Sequence, residues 1–444
     1  MLDIRLVREN PEFVKKNLGK RQNPEYLKML DELVESDMKW RSILQDVEEL
    51  RRQRNEISRK ITEAIQQKKD ISALKQEAKE LPEKIKKAEA ELNELEEKNH
   101  SALMKLPNLL EEDVPFGKDE NDNKEIKSFG SIKKFSFELK HHGLLTAEKN
   151  LADYERAVKI SGTGFYILKN ELALMELALQ RYAIDFLVKK GYSLILPPFL
   201  IKRKPYEGVT SLDDFENVMY KIENEDKYLI ATAEHPIISM HMNEILPEEE
   251  LPLKYVGLSA CFRKEVGKHG LDERGLFRVH QFNKVEQVVF CRPEESRKYF
   301  NELISNAESL FQKLRLPCRV VAVCTGDIGI VAAKKYDIEA WSPREKKYFE
   351  VHSGSNCTSY QAVRLNVKYR KKNSMDKEYV HTLNSTAIAT GRALRAIIEN
   401  FQTEKGTIKV PKVLQPYMNG IKEIPSEKKA KPMKGKAKKK ARKK

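Results

Sequence analysis

Two rows of residues near the N-terminus restrict what this chain can fold into more than any other feature. The first runs Ile43, Val47, Leu50, Arg54, Ile57, Ile61, Ala64; the second runs Leu74, Ala78, Leu81, Ile85, Ala88, Leu92, Leu95. Both advance in steps of 4 and 3, the spacing that keeps one narrow apolar seam of a helix turned toward another helix. Only the short break Lys68-Lys69-Asp70-Ile71-Ser72 separates them, so the two helices fold back as an antiparallel hairpin. At 1.5 Å per residue, helices of about 30 residues make an arm of roughly 45–50 Å. Pro82 lies inside the second helix and predicts a kink or a late start. The outer half of the arm carries Arg51, Arg52, Arg54, Arg59, Lys60, Lys68 and Lys69. A rod of this kind serves as a dimerisation or spacer element, or it grips a phosphate backbone. Spacing alone leaves both readings open.

The rest of the chain is too long and too apolar to be an appendage of the arm. Its 444 residues allow two to three domains, and 40% hydrophobic content supports at least one packed core. There is no run of eighteen apolar residues and no signal-peptide core. Five cysteines (Cys261, Cys291, Cys318, Cys324, Cys357) without C-x-x-C spacing argue for a reducing compartment, with neither a disulfide framework nor a zinc ribbon. The net charge of +15 points to an anionic partner. Most of it is local: from Glu427 to Lys444 there are eleven Lys/Arg and one Glu, so this end holds +10. Such a Lys-rich end reads as a disordered tail with weak affinity for RNA.

Taken in order, residues 1–110 form the arm and its base. Residues 111–139, with Glu111-Glu112-Asp113, Pro115 and Gly117, show no core-forming period and read as a linker. Residues 140–420 form a mixed domain and 421–444 the tail. In the mixed domain a helix over Leu172–Lys190 leads to a strand over Ser193–Leu196, stopped by Pro197-Pro198. A helix near Glu294–Leu314 is followed by strands over Cys318–Cys324, Lys347–Val351 and Tyr379–Thr386, and then by a helix from Ala387 to Gln402. Strands that follow one another without regular β-α-β alternation give an α+β fold, a largely antiparallel sheet with helices packed on it. Neither G-x-x-x-x-G-K-[ST] nor G-x-G-x-x-G occurs, so any nucleotide is held without a P-loop or a dinucleotide-binding turn.

Within that domain Tyr255–Phe290 reads as two strands joined by a charged loop. Alternation puts Arg263 and Glu265 on one face of the first strand, and Arg278, Phe282 and Glu286 on one face of the second. The mixture suits a nucleotide: cations for phosphates, a ring for the base and a carboxylate for an amino group. An amphipathic hairpin with surface ion pairs is the plainer alternative.

Three stretches stand in order along the domain. They are the helix and strand ending at Pro197-Pro198; Phe262-Arg263-Lys264-Glu265 with Phe277-Arg278-Val279-His280-Gln281-Phe282-Asn283-Lys284-Val285-Glu286-Gln287; and Asn384-Ser385-Thr386-Ala387-Ile388-Ala389-Thr390-Gly391-Arg392. They resemble the three signature motifs of class II aminoacyl-tRNA synthetases. With Thr232-Ala233-Glu234 and the coiled-coil hairpin they resemble the seryl-tRNA synthetases, over about residues 1–420. Asn356-Cys357-Thr358 is similar to the common form, which has no protein zinc site, and of its branches the archaeal and eukaryote-like one is the nearest likeness.

The resemblance implies an ATP-dependent ligase that activates L-serine and loads it on tRNA(Ser), and on tRNA(Sec) as well. It assigns Arg263 to the α-phosphate, Arg392 to the γ-phosphate, and Glu350 with Ser353 to magnesium. The ATP contacts extend to Lys264, Glu265, Arg278, Val279, Phe282 under the adenine, Val351 and His352. The serine pocket takes Thr232, Ala233, Glu234, Arg263, Glu286, Asn384 and Thr386, with Glu286 meeting the ammonium group. Period 2 does not put Glu350 and Ser353 on one face, so a bend near Gly354 is expected. Thr232 also suits a helix N-cap. The loop between the hairpin strands, with Lys264, Lys268 and Arg274, is implied to meet the tRNA acceptor end, and the arm its long variable arm. Pro197-Pro198 and the preceding helix imply a homodimer, and the localisation implied is cytoplasmic. His352 and Ser359 depart from the family's usual residues. A ligase that loads an amino acid on a carrier protein, or a non-catalytic RNA-binding paralogue, are the competing readings; the first lacks such an arm, and the second predicts loss of Arg263, Glu286, Glu350 or Arg392.

Overall fold

In the computed structural model, which describes residues 1–211, 218–265 and 275–426, the seam folds as its spacing predicts. Helix α1 (Pro24–Gln66) and helix α2 (Ser72–Lys105) pair along their length. At 43 residues α1 is longer than the seam alone implies, about 64 Å at 1.5 Å per residue. Its extra turns begin at Pro24 behind the Asn23 cap and bury Leu30 and Leu33 in the base of the arm. Pro82 neither delays nor breaks α2. Its neighbours Leu81 and Ile85 are the buried seam residues, so packing on α1 offsets the lost backbone hydrogen bond. Interhelical pairs Lys39–Glu91 and Arg51–Glu89, each 2.7 Å, flank the seam.

The base of the arm is docked on the mixed domain rather than tethered to it. Arg21, nearly buried, donates to the carbonyls of Asn108, Ile328, Gly329 and Ala332. Asn108 in turn bonds Ile330 and Val331. The expected linker 111–139 also departs from expectation, because it supplies strand β1 (Lys124–Phe129) at one edge of the main sheet. Five of its six residues are exposed and only Phe129 packs against the core, so no apolar period marks it in the sequence; its backbone bonds to the next strand hold it in place.

The sheet has eight strands. With β2 (Ser193–Ile195), β3 (Leu253–Phe262), β4 (Gln281–Cys291), β5 (Cys318–Ala322), β6 (Lys334–Ser342), β7 (Lys347–Asn356) and β8 (His381–Ala389), the spatial order is β1-β5-β6-β7-β8-β4-β3-β2. All neighbours are antiparallel except β2 with β3. Helices α4 (Asn170–Val188), α5 (Ser296–Leu314) and α7 (Thr390–Phe401) contribute Leu179, Leu310 and Ile397 to a core that also takes Val285, Val289 and Leu383 from the sheet. Two shorter helices matter below: α3 (His142–Glu148) and α6 (Tyr360–Leu365).

Strand parity assigns the two faces of β4. Odd residues Val285 and Val289 meet the helices, whereas even residues Val288 and Phe290 enter a second core with Tyr206, Tyr228 and Ile237. The remaining even residues, Phe282, Lys284 and Glu286, are left facing a cleft. The expected tail 421–444 begins later than its composition suggests: Glu423–Ile424 pairs with Ile408–Lys409, and Ile424 is wholly buried in the core. The part from Glu427, and Lys268 and Arg274 of the hairpin loop, lie outside the described residues.

Candidate active site

The cleft, of about 720 Å³, opens where β4, β7 and β8 turn their polar residues away from the helices. Two β-bulges make that possible. In β7 the register skips between the pairs Ile338↔His352 and Glu339↔Glu350, which leaves Val351 as the extra residue. Glu350 before it and Ser353 after it therefore reach the same cleft although they are three apart. This replaces the bend expected near Gly354, which instead packs against Ile304 of the helical layer. In β8 the skip falls at Ala387, between Thr386↔Glu286 and Ile388↔Val285. Asn384 and Thr386 face the cleft before the skip, and Ala389 after it.

The hairpin differs from the simple alternation read from sequence. Strand β3 ends at Phe262 and β4 starts at Gln281. Arg263 and Glu265 thus sit at a loop root, not on a strand face, and Glu265 is in the left-handed region at φ 45°. The root is pinned by Arg263 N–H to His280 O (3.0 Å) and by Lys264 N–H to Val218 O (2.9 Å). Arg263 still reaches the cleft, its guanidinium 5.4 Å from the Phe282 ring centroid and braced by the Ala231 carbonyl. Arg278 precedes the strand and lines a neighbouring cavity, where it pairs with Glu265 at 3.5 Å.

Of the residues expected at the site, Thr232, Glu234, Arg263, Glu265, Val279, Phe282, Glu286, Glu350, Val351, His352, Ser353, Asn384, Thr386 and Arg392 line this cleft. Ala233, Lys264 and Arg278 are not among its lining residues. Ala233 is buried against the sheet, close enough that a Cβ on Gly257 would meet its own at 2.9 Å. Thr232 is not the N-cap it suited, since Ala233 takes that place before the helix Glu234–Ser239; its hydroxyl still accepts the Glu234 N–H at 3.2 Å.

Two carboxylates share the buried end with different partners. Glu234 Oε1 accepts amide hydrogens from Gln361 (2.9 Å) and Asn384 (3.0 Å). Burial, and then the Glu286 charge, push Glu234 up to about 7. Glu286 pairs with the Lys284 ammonium and accepts the Thr386 hydroxyl at 3.3 Å. Burial raises it too, against the opposing pull of Lys284. At the other end Arg392 donates to Glu350 Oε1 (2.8 Å) and to the Glu350 carbonyl (3.0 Å). Burial would raise Glu350, but Arg392, Lys335 and Arg263 more than offset it and hold it below the ordinary carboxylate range. His352 Nε2 meets the Ser385 hydroxyl at 2.8 Å, and burial pushes the ring down to about 3, so it stands neutral.

Sequence reasoning passed over Lys284, Gln361, Lys335 and Asp337. Lys284 had a signal, since it is the even residue between Phe282 and Glu286. Gln361 bridges Glu234 to the Thr382 hydroxyl from helix α6, a contact that no local pattern encodes. Lys335 and Asp337, 3.0 Å apart, lie on β6, a strand not foreseen at all. Burial pushes Asp337 up to about 7.

Comparison with known proteins gives a consistent picture. Residues 1–110 match the seryl-tRNA synthetase N-terminal domain, and residues 218–401 match the tRNA synthetase class II core domain (G, H, P, S and T). The chain is 56% identical to the serine–tRNA ligase of Methanospirillum hungatei, over 94% of this chain and 99% of that protein. A crystal structure of seryl-tRNA synthetase from Pyrococcus horikoshii complexed with ATP superposes with a TM-score of 0.92 at 48% identity, covering 96% of this chain and 99% of that one. The cytoplasmic serine–tRNA ligase of Naegleria fowleri in complex with AMP gives 0.85 at 38% identity, covering 96% and 98%. On fold, arm, cleft and near-complete sequence coverage alike, the chain belongs to the seryl-tRNA synthetases, within class II of the aminoacyl-tRNA synthetases.

Proposed function

We propose that this cleft joins L-serine to ATP and passes the serine to the 3′ end of tRNA(Ser). The observation that carries the reading is the meeting in one cleft of Arg263 with an acidic, amide-rich end (Glu234, Glu286, Asn384, Thr386) and a phosphate-suited end (Arg392, Glu350, Ser353). A serine carboxylate oxygen attacks the α-phosphorus; the new O–P bond forms as the bond to the pyrophosphate oxygen breaks. Arg263 presents a planar pair of donors to the charge that grows there. A ribose hydroxyl of the terminal adenosine then attacks the seryl carbonyl and AMP leaves. No protein nucleophile is required, because positioning and charge stabilisation supply the rate. The adenine lies on Phe282, with Glu265 and the Val279 backbone at its rim. The β7 bulge gives Glu350 and Ser353 the shared face that a magnesium ion on the triphosphate needs, so the residues present fit that ion. When bound, it neutralises phosphate charge.

Within the serine pocket the partners favour a change of role from the sequence reading. Glu286 already faces the Lys284 ammonium, and a second cation there would be repelled. Among the described residues Glu234 Oε1 is held by two neutral amides, with no cation in hydrogen-bond contact. We therefore give the serine ammonium to Glu234 and the serine hydroxyl to Glu286 with Thr386. A hydroxyl that two buried groups expect is missing in alanine, which leaves them unpaired.

The arm supports tRNA recognition, with Arg51, Arg52, Arg54, Lys68 and Lys69 all exposed toward its tip; its target is the variable arm of tRNA(Ser), and tRNA(Sec) as a second substrate. A homodimer is favoured by the apolar side chains that α4 and the segment after it leave open: Leu177 60%, Leu194 44%, Leu196 71% and Phe199 44% exposed. No helix among the described residues is long and apolar enough to cross a membrane; the assigned place of action is the cytoplasm. The carrier-protein and non-catalytic readings are disfavoured by the arm and by Arg263, Glu286, Glu350 and Arg392 all standing in the cleft. ATP–pyrophosphate exchange tests the first half-reaction: it runs with serine and falls to background with alanine, and absence of exchange with serine contradicts the assignment.

A further inference from the structure

His142 begins helix α3, far in sequence from both the hairpin loop and helix α7, yet its ring joins them. The ring is wholly buried. Its Nδ1 lies 3.1 Å from Glu399 Oε1, and its Nε2 accepts the Leu276 backbone N–H at 3.3 Å. A ring nitrogen that accepts an N–H carries no proton, so the hydrogen toward the carboxylate is the one on Nδ1. Glu399, on α7, also accepts from Arg395 Nε at 3.0 Å. The Arg395 guanidinium is 1% exposed, paired with Glu345 as well, and lies 4.3 Å from the Phe277 ring centroid and 4.2 Å from that of Phe349. The same Phe277 ring stands 5.2 Å from the Arg392 guanidinium.

The backbones close up equally tightly. Gly275 sits at φ +89°, and a Cβ there would come within 2.7 Å of His142 Nε2. A Cβ on Gly391 would come within 2.6 Å of the Leu276 carbonyl oxygen. The C-terminal root of the loop is thus held between α3 and the first turn of α7, where Arg392 stands. Leu276, Phe277, Gly391 and Arg392 all line the cleft, and His142 does not. A histidine suits this place because its two ring nitrogens can serve a buried carboxylate on one side and a buried backbone N–H on the other.

We propose that His142 is a positioning residue for ATP: it ties Gly275–Phe277 to helix α7 and so holds Arg392 where the triphosphate binds. This rests on the reading of Arg392 as a phosphate ligand. The test measures KM for ATP and for serine separately, in pyrophosphate exchange by the full chain. Wild-type exchange comes first, so failure of the functional reading shows there, and failure of the positioning claim shows only in the variants.

His142→Ala raises the ATP KM about tenfold, as expected for a lost buried hydrogen bond, and moves the serine KM less than about twofold. His142→Gln retains one donor and one acceptor and returns the ATP KM to within about threefold of wild type. Phe277→Leu leaves both His142 bonds in place but removes the ring that Arg395 and Arg392 share. It gives the same ATP-selective rise if the ring is the next link from His142 to Arg392; should the alanine variant not fold, His142→Asn, too short to reach both partners, replaces it with the same expected ATP-selective rise. The claim is overturned by ATP and serine KM rising together, by a fall in kcat alone, or by an unchanged ATP KM in Phe277→Leu.

Discussion

Glu234 and Glu286 stand in one cleft with unlike neighbours, and that difference makes their functions separable. Glu234 is pushed up to about 7 by burial and by Glu286, and an ammonium group requires it ionised. The kcat/KM for serine therefore rises as pH climbs through about 7 and levels off above, while Glu234→Gln is lower and flat; exchange rates from pH 6 to 8.5 check this. Stability runs the other way. The folded protein binds this proton more tightly than the unfolded chain, so without ligand it loses stability as pH rises from the usual carboxylate range toward 7. Melting temperatures across that window should show the slope in wild type and lose it in Glu234→Gln. For Glu286→Gln the serine KM should rise about a hundredfold while ATP binding is spared, as for a buried hydroxyl partner left badly matched. Arg263→Lys should cut the exchange kcat by about 10²–10³-fold, since an ammonium cannot span two phosphoryl oxygens. At this scale the sequence was informative where chemistry repeats along a strand, as in Phe282 and Glu286. It was silent on Gln361 and Lys335, whose neighbours come from elements distant in the chain.

Two irregularities place the site, and neither has a sequence signature. Alternation alone would turn Ser353 away from Glu350; the extra residue Val351 brings it back. Ala387 does the same between Thr386 and Ala389. Such skips are set by cross-strand pairing, which local periodicity does not contain. Heptad spacing, by contrast, specified the arm almost completely, because each helix needs only its partner. The exception is α1, whose first turns pack on the base and not on the seam. This separates two parts of the N-terminal region. Its base braces residues 328–332, of which Gly329 to Ala332 line the cleft, whereas the outer seam packs helix against helix. Removing residues 44–94 and rejoining the helices by a short flexible linker should leave exchange within about twofold and lower tRNA charging by about a hundredfold or more, as for lost backbone contacts. Unchanged charging would remove the arm from tRNA recognition.

The two ends of the eight-stranded sheet are unlike. Strand β1 closes the sheet with Lys124, Glu125 and Lys127 on an exposed edge, a charged border that discourages further pairing. The opposite end exposes the apolar side chains Leu194, Leu196 and Phe199. The dimer assignment places a second copy there: Leu196→Asp with Phe199→Asp should halve the mass seen in sedimentation, and a wild type already monomeric would refute it. The α+β class and the antiparallel sheet were legible from the order of strands and helices. The edge strand β1, exposed along most of its length, was not. The central claim joins both ends of the molecule, a cleft that makes seryl-adenylate and an arm that brings the acceptor. Charging of total tRNA with labelled serine and ATP tests it most directly. Label should appear on tRNA as a base-labile ester that forms as AMP is released; label that stays on the adenylate, or that moves to a protein carrier instead, would refute the assignment.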